Sequence, residues 1–286
     1  MTRIKQSRAA SFFVIAVIYA IAAALGIFTY NILELSWWLS LLISDILATA
    51  FVFLFSLILK NASVYDPYWS VQPPVILIAF AVGRDIGSLG ILLIVAVSFW
   101  AVRLSANWAY TFKGLMHQDW RYTMLSERTG ALYPLVNFTG IHLVPTLVVY
   151  GCILPAVYAV REGLLANVPS AVFVLISICA ALMQGIADIQ MHAFRKNRDS
   201  TFIRRGLWKH SRHPNYLGEI LMWWGVALAV LVCAWDKWYL IAGALANTVL
   251  FFGVSIPLAD GRQSRKAGFS EYKAQTRMLL PIKRFK

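Results

Sequence analysis

Apolar residues fill this chain in long stretches, and polar residues interrupt them at only a few places. A stretch of about 20 apolar residues is long enough to cross the roughly 30 Å hydrocarbon core of a bilayer as a helix. The pattern predicts spans near residues 11–30, 37–59, 72–82, 88–112, 134–160, 167–194, 215–234 and 238–258. The third stretch is short and begins with Pro73-Pro74, so we expect a bundle of 7-8 transmembrane helices.

Composition supports this assignment. Hydrophobic residues make up 59% of the 286 residues, charged residues only 14%, and the mean hydropathy is +0.65. These values are typical of an all-α polytopic membrane protein. The chain shows no internal repeat and no linker, so residues 1–286 are interpreted as a single transmembrane domain.

Basic residues are distributed unevenly between the two sides of the predicted bundle. With eight spans, 22 of the 26 Lys and Arg residues fall on the side that holds both termini. Short cytoplasmic loops collect Lys and Arg, so both termini of this multi-pass protein are predicted to be cytoplasmic. The net charge of +13 is then mainly a topology signal and does not indicate nucleic-acid binding.

Four polar intervals are long enough to build a site. They span residues 60–71, 113–133, 195–214 and 259–286, and all four are predicted on the cytoplasmic side. The intervals on the opposite side are little more than turns. A water-facing cofactor site is therefore expected at the cytoplasmic mouth of the bundle.

Ionisable residues inside the spans are costly in hydrocarbon unless they are paired or face a cavity. Glu219 follows Asn215 by one helical turn, so amide and carboxylate share a face just beyond Pro214. Asp188 and Arg195 also share a face, which is compatible with a site or with a simple ion pair. The remaining intramembrane charges are Asp45 and Arg103.

Metal and nucleotide motifs are not evident. His210 and His213 lie three residues apart, but no further ligand joins them at a zinc-like spacing, so no metal is expected. The chain has neither a Gly-x-Gly-x-x-Gly motif nor a phosphate loop. Any nucleotide must be held in another way.

The segment Arg212-His213-Pro214-Asn215-Tyr216-Leu217-Gly218-Glu219, followed by Trp223-Trp224-Gly225, resembles the C-terminal signature of the membrane steroid 5α-reductase-like family. The resemblance extends from about residue 38 to Pro281 and includes residues 61–71 and 117–122. The whole chain resembles a bacterial member of the family, which implies a bacterial inner membrane. The Arg-His-Pro-x-Tyr-x-Gly core is also similar to sterol C14-reductases and to isoprenylcysteine and phospholipid methyltransferases. The Asn215 to Glu219 pairing favours the 5α-reductase branch.

The resemblance implies an NADPH-dependent reduction of the Δ4 double bond of a 3-oxo steroid or a similar enone, with hydride delivered to the β-carbon. The implied partners are a lipophilic enone and membrane lipid, and a monomer is compatible with the sequence. The expected cofactor-binding residues are Asn215, Glu219, Tyr216, His213, Arg212, Asp188, Arg195, Arg198, Asp260 and Arg262. The expected substrate contacts are Arg103, Asn107, Trp69 and Trp224.

The residue that polarises the substrate carbonyl is where the sequence departs from the family. Gln72 stands near the position of a family Glu, and a Gln donates a hydrogen bond but releases no proton. Either Tyr65, Tyr68 or Asp66 is therefore expected to assist in catalysis, or the substrate differs from that of the family. From composition alone, the aromatic residues Tyr68 and Trp69 are slightly better interpreted as interfacial belt residues, and Asp66 as functional. The alternative interpretation of Arg103 is a structural partner of Asp45 or Asp188.

Two other functional classes fit parts of the pattern. An S-adenosylmethionine-dependent methyltransferase that acts on a membrane lipid or prenylated substrate would use the same basic mouth. A small transporter or scaffold would explain the intramembrane carboxylates as ion or proton sites, but not the concentration of basic and aromatic residues on one side.

Overall fold

The computed structural model describes residues 5–197 and 200–280. About 80% of the chain is helical, and the described residues form no strand, which confirms the all-α prediction. Six helical segments are long and apolar enough to cross a membrane, as expected of an integral membrane protein. They are Arg8–Ile32, Trp37–Ile58, Ser88–Thr111, Trp120–Arg161, Val168–Asn197 and Trp235–Gln263.

Two shorter helices lie where the third and seventh spans were predicted. The α-helices of seven or more described residues are, in chain order, α1 (Arg8–Ile32), α2 (Trp37–Ile58), α3 (Tyr68–Ala81), α4 (Ser88–Thr111), α5 (Trp120–Thr129), α6 (Val144–Arg161), α7 (Val168–Asn197), α8 (Pro214–Leu231), α9 (Ala242–Leu250), α10 (Ile256–Gln263) and α11 (Phe269–Gln275). Helix α3 begins four residues before Gln72, with Pro73 and Pro74 inside it. Helix α8 begins at Pro214, as expected for a proline in a first turn.

The interval 113–133 is not the plain loop that its polarity suggested. Asp119 caps α5 by accepting a hydrogen bond from the backbone N–H of Arg121. Local capping thus makes a helix in a segment whose hydropathy indicates only exposure to water.

Two of the predicted spans are interrupted by wider helical turns. Residues Asn137–Leu143 precede α6 as a π-helix, and Phe251–Ser255 form another between α9 and α10. A π-helical segment displaces the side chains that follow it relative to a regular helix, and such segments occur frequently at functional sites.

Glycines bring α7 and α8 into close contact. A Cβ atom on Gly218 would lie 2.4 Å from Cγ of Gln184, which is closer than real side chains approach. Small residues permit such backbone approach in membrane helices, where packing replaces the hydrophobic drive between helices. This contact places Gln184 of α7 beside Glu219 of α8.

Candidate active site

Two adjoining cavities occupy the end of the bundle where α3 begins and α7 ends. The main cavity has a volume of about 830 Å³, and the adjoining cavity about 770 Å³. Both are bordered by Asn107, Thr111, Asp188, Arg195, Asn215, Tyr216 and Arg262. Together they exceed the usual volume of a site for one drug-sized ligand. The arrangement suits one elongated ligand or two ligands side by side.

Glu219 forms the most completely bonded part of the main cavity. Its carboxylate accepts hydrogen bonds from Nε1 of Trp100 at 2.9 Å, Nε2 of Gln184 at 2.7 Å and Nε1 of Trp223 at 2.9 Å. The residue is 5% exposed. A carboxylate can accept about four hydrogen bonds, so one acceptor position remains for a ligand. Asn215, one turn earlier, lines both cavities.

Arg103 continues this network across to α7. Its guanidinium pairs with Asp188 at 2.9 Å and also donates to the side chain of Gln184. The structural alternative for Arg103 is therefore realised with Asp188 and not with Asp45. Nearby, His192 Nε2 and Asn107 Oδ1 share a hydrogen bond of 2.7 Å. Arg103, Asp188 and Asn107 all line the main cavity.

Hydrogen bonds join two polar segments, residues 61–66 and 115–122, at the main cavity. The side chain of Asn61 donates to the carbonyls of Leu115 and His117, and the backbone N–H of Asp119 donates to Ser63. The Tyr122 hydroxyl donates to Asp66 at 2.5 Å. These contacts fix Tyr65, Asp66 and Trp69 on the cavity wall.

Asp66 is a titratable group of this wall whose pKa is shifted toward neutrality. Burial raises the pKa of the Asp66 carboxyl, and the hydrogen bond from Tyr122 opposes the rise, leaving a pKa of about 6. General acids work best when their pKa lies near the working pH. Asp66 is thus suited to release a proton near neutrality.

The adjoining cavity contains the predicted basic motif. Asp260 accepts from Arg212 and shares a hydrogen bond with His213, each at 3.0 Å. The His213 ring stacks on Tyr216 with centroids 5.2 Å apart. Burial lowers the pKa of His213, although the Asp260 carboxylate opposes this shift. The cluster positions His213 and Tyr216 while leaving Arg212 neutralised by Asp260.

Arg195 and Arg262 have a different environment. Both line both cavities, and neither forms an ion pair with a carboxylate of residues 5–197 or 200–280. Arg262 lies over the Trp120 ring, 4.1 Å from its centroid. Arg198 lies outside the described residues. These two arginines are among the positive charges that a ligand would meet, together with Lys113 in the main cavity.

Three predicted residues of the described chain lie away from both the main and the adjoining cavity. Gln72 and Tyr68 line a separate cavity of about 290 Å³, where the Gln72 amide donates to Asp45. They occupy a different face of α3 from Trp69 and Ser70. Trp224 lines none of these cavities and donates to Thr248 at 2.9 Å. The sequence alone does not show which cavity each α3 side chain lines, because positions close together on this helix line different cavities.

The sequence interpretation missed Trp100, Gln184, Trp223 and Asn247, all of which contact Glu219 or line the main cavity. Gln184 precedes Asp188 by four residues and Trp100 precedes Arg103 by three, so helical spacing was an available signal. Asn247, a lone amide in an apolar helix, was another. Among the described residues, no group of three His, Cys, Asp or Glu side chains is arranged to hold a metal.

Comparison with known proteins gives one match. A family model described as "Protein of unknown function (DUF1295)" matches residues 52–276, which is most of the chain. That family includes steroid 5α-reductase-like membrane proteins. No curated protein and no solved structure matches the chain.

Proposed function

We propose that this chain, which belongs to the DUF1295 family, is an NADPH-dependent membrane oxidoreductase that reduces the Δ4 double bond of a 3-oxo steroid or a similar enone. The observation that carries the proposal is the pair of adjoining cavities with Arg195 and Arg262 shared between them. NADPH is long and bears several phosphate charges, and arginines without a carboxylate partner are suited to bind them. S-adenosylmethionine instead brings a sulfonium cation, which these charges would repel.

The residues present fit a dinucleotide divided between the two cavities. Arg195 and Arg262 would hold phosphates, with Arg212, His213 and Asp260 forming the wall of the adjoining cavity. Asn215, Tyr216 and Glu219 would contact the nicotinamide end in the main cavity. When bound, NADPH would supply the hydride. The free acceptor position on Glu219 suits a carboxamide N–H.

The protein's own part of the reaction is to exclude water, orient the enone and deliver a proton. Hydride arriving at the β-carbon leaves negative charge on the substrate oxygen, and the α-carbon then needs a proton. Asp66 is the proposed proton donor, because it lines the main cavity and its pKa is about 6. The ring of Trp69 and the Arg103–Asn107 turn of α4 would line the substrate side.

We further propose that α3 and α8 complete an eight-helix bundle, with the cavities at the cytoplasmic side and both termini cytoplasmic. The basic residues at the cavity end support this orientation. In a bacterium the location would be the inner membrane.

Ligand binding by the detergent-purified protein tests the proposal. NADPH should quench tryptophan fluorescence saturably, and S-adenosylmethionine should not compete. The Arg195→Gln variant should bind NADPH about 10–100-fold more weakly, because a hydrogen bond to a charged group contributes about 1.5–3 kcal/mol. Arg84→Gln, an exposed arginine at the far end of α3, is the matched control and should leave affinity unchanged. Tight S-adenosylmethionine binding without NADPH binding would reject the oxidoreductase in favour of the methyltransferase.

A further inference from the structure

Asn247 is a buried amide in a largely apolar helix. It lies in the sequence Ala242–Leu250 of α9, is 5% exposed and lines the main cavity. Its Nδ2 atom has no hydrogen-bond partner among the described residues. A buried donor left unpaired costs about 1–3 kcal/mol. Such a residue in a cavity wall indicates that a ligand supplies the missing partner.

The height of Asn247 in the bundle is set by its neighbours. Thr248 accepts the hydrogen bond from Trp224 of α8, and the Phe251 ring contacts the Tyr216 ring at 4.9 Å between centroids. Asn247 therefore faces the stretch of α8 that presents Glu219 and Trp223 to the same cavity. This is the side of the cavity where the nicotinamide end is proposed.

The cavity wall on the α6 and α9 side of Asn247 is apolar. At one end α6 and α9 cross in contact, since a Cβ atom on Gly243 would lie 2.0 Å from the backbone of Gly151. At the cavity end, one π-helical segment precedes α6 and another follows α9. The wall between them is lined by Ile141, Pro145, Val148, Leu250 and Phe251. This wall suits a lipophilic ring system with one polar end.

We propose that Asn247 binds the carbonyl oxygen of the enone substrate and stabilises the charge that develops on it. The inference rests on the proposed reduction. Hydride transfer to the β-carbon moves an electron pair through the alkene to the carbonyl oxygen, forming an enolate. The Asn247 N–H donates a hydrogen bond to that oxygen and keeps its own proton. Protonation of the α-carbon then gives the saturated ketone.

Asn247 fills the role for which the sequence suggested Gln72. The Gln72 amide lines the smaller cavity and donates to Asp45, whereas Asn247 lines the cavity that also contains Glu219 and Asp66. Rotation of the Asn247 amide presents either its nitrogen or its oxygen to the cavity, and a carbonyl ligand selects the nitrogen. A substrate analogue without the carbonyl leaves the amide unpaired, so the site should discriminate between the two.

The test compares two probes, cholest-4-en-3-one and cholest-4-ene, on protein in lipid nanodiscs. The wild-type protein should bind the ketone about 10-fold more tightly, and Asn247→Leu should bind both equally, as measured by tryptophan fluorescence without cofactor. With NADPH present, the kcat of Asn247→Leu for the ketone should be about 100-fold below that of the wild type, as when one oxyanion donor is removed. NADPH affinity should not change.

Thr248→Val is the control, because it removes a neighbouring polar group that does not line the cavity. Asn247→Ala replaces the Leu variant if the added bulk prevents folding, and Asn247→Gln should restore part of the preference for the ketone. Retention of the full preference and kcat in both Asn247→Leu and Asn247→Ala would refute the inference. If the wild-type protein prefers the ketone through Asn247 but never oxidises NADPH, the proposed reduction fails while the binding site stands.

Discussion

Glu219 and Asp45 are both carboxylic acids buried in the helical bundle, but their surroundings differ. Glu219 is 5% exposed and receives three N–H hydrogen bonds from three side chains. Asp45 is 4% exposed and receives one from Gln72, while its Oδ2 atom has no partner among the described residues. Burial is thus the same, and the supply of donors is not.

The number of hydrogen-bond donors distinguishes the preorganised carboxylate of Glu219 from the Asp45–Gln72 pair. Three donors fix the position of the Glu219 carboxylate and offset the cost of removing its charge from water. The Asp45–Gln72 pair lacks such support, and each partner retains an unpaired acceptor. An intramembrane carboxylate in a sequence therefore indicates function only when its donors can also be identified.

The largest effect is expected for Glu219→Gln. The substitution removes the charge and turns an NH₂ group toward indole N–H donors, so at least one donor loses its acceptor. Unfolding free energy should fall by about 3–5 kcal/mol, because a hydrogen bond to a charged group contributes about 1.5–3 kcal/mol and all three donors lose a charged acceptor. Thermal unfolding in detergent measures the change. NADPH affinity should fall as well, and a variant with wild-type stability and affinity would show that the three hydrogen bonds are not important for either.

Asp66→Asn is expected to change how the free energy of unfolding depends on pH. The wild-type carboxyl has a pKa of about 6 when folded, against about 3.9 when unfolded. The folded state therefore holds the proton more tightly, and wild-type stability declines as pH rises from about 4 through 6. The Asn variant does not titrate, so at pH 8 it should be more stable than the wild type by up to about 3 kcal/mol, with no such gain at pH 4.

Turnover should show the same titration. If protonated Asp66 delivers the proton, wild-type kcat falls as pH rises through about 6, and Asp66→Asn loses both most of its activity and this dependence. The loss of NADPH absorbance, followed between pH 5 and 8, gives the profile. Glu162→Gln is the control, because that exposed carboxyl pairs with Arg161 and lines none of the three cavities, so its profile should match that of the wild type. A wild-type profile without an inflection near pH 6 would assign the proton to another group.

The sequence predicted features that depend on local periodicity. Asn215 and Glu219 share a face because they are one turn apart on α8, and the Arg103, Asp188 and Arg195 positions follow from the same spacing rule. The all-α class and the positions of the long helices follow from hydropathy. These relations lie within single helices, so no knowledge of packing is needed.

Features that depend on packing were not predictable in this way. Whether Gln72 faces one cavity or the other depends on how α3 is rotated against α1 and α2, which its own sequence does not determine. Asn247 becomes a candidate only when the partners around it are known. The donors on Glu219 come from α4 and α7 as well as α8. Such contacts between distant segments require the structure.

The smallest effect is expected when both members of the Asp45–Gln72 pair are replaced. Gln72→Leu alone leaves Asp45 without its donor and should cost about 1–3 kcal/mol, the penalty of a buried unpaired polar group. Replacing both partners by apolar residues can be nearly neutral, so Asp45→Leu/Gln72→Leu should recover wild-type stability to within about 1 kcal/mol. NADPH oxidation should stay within about twofold of wild type, because this pair lines the smaller cavity. Loss of turnover in a stable double variant would return Gln72 to the reaction and make the smaller cavity part of the substrate site.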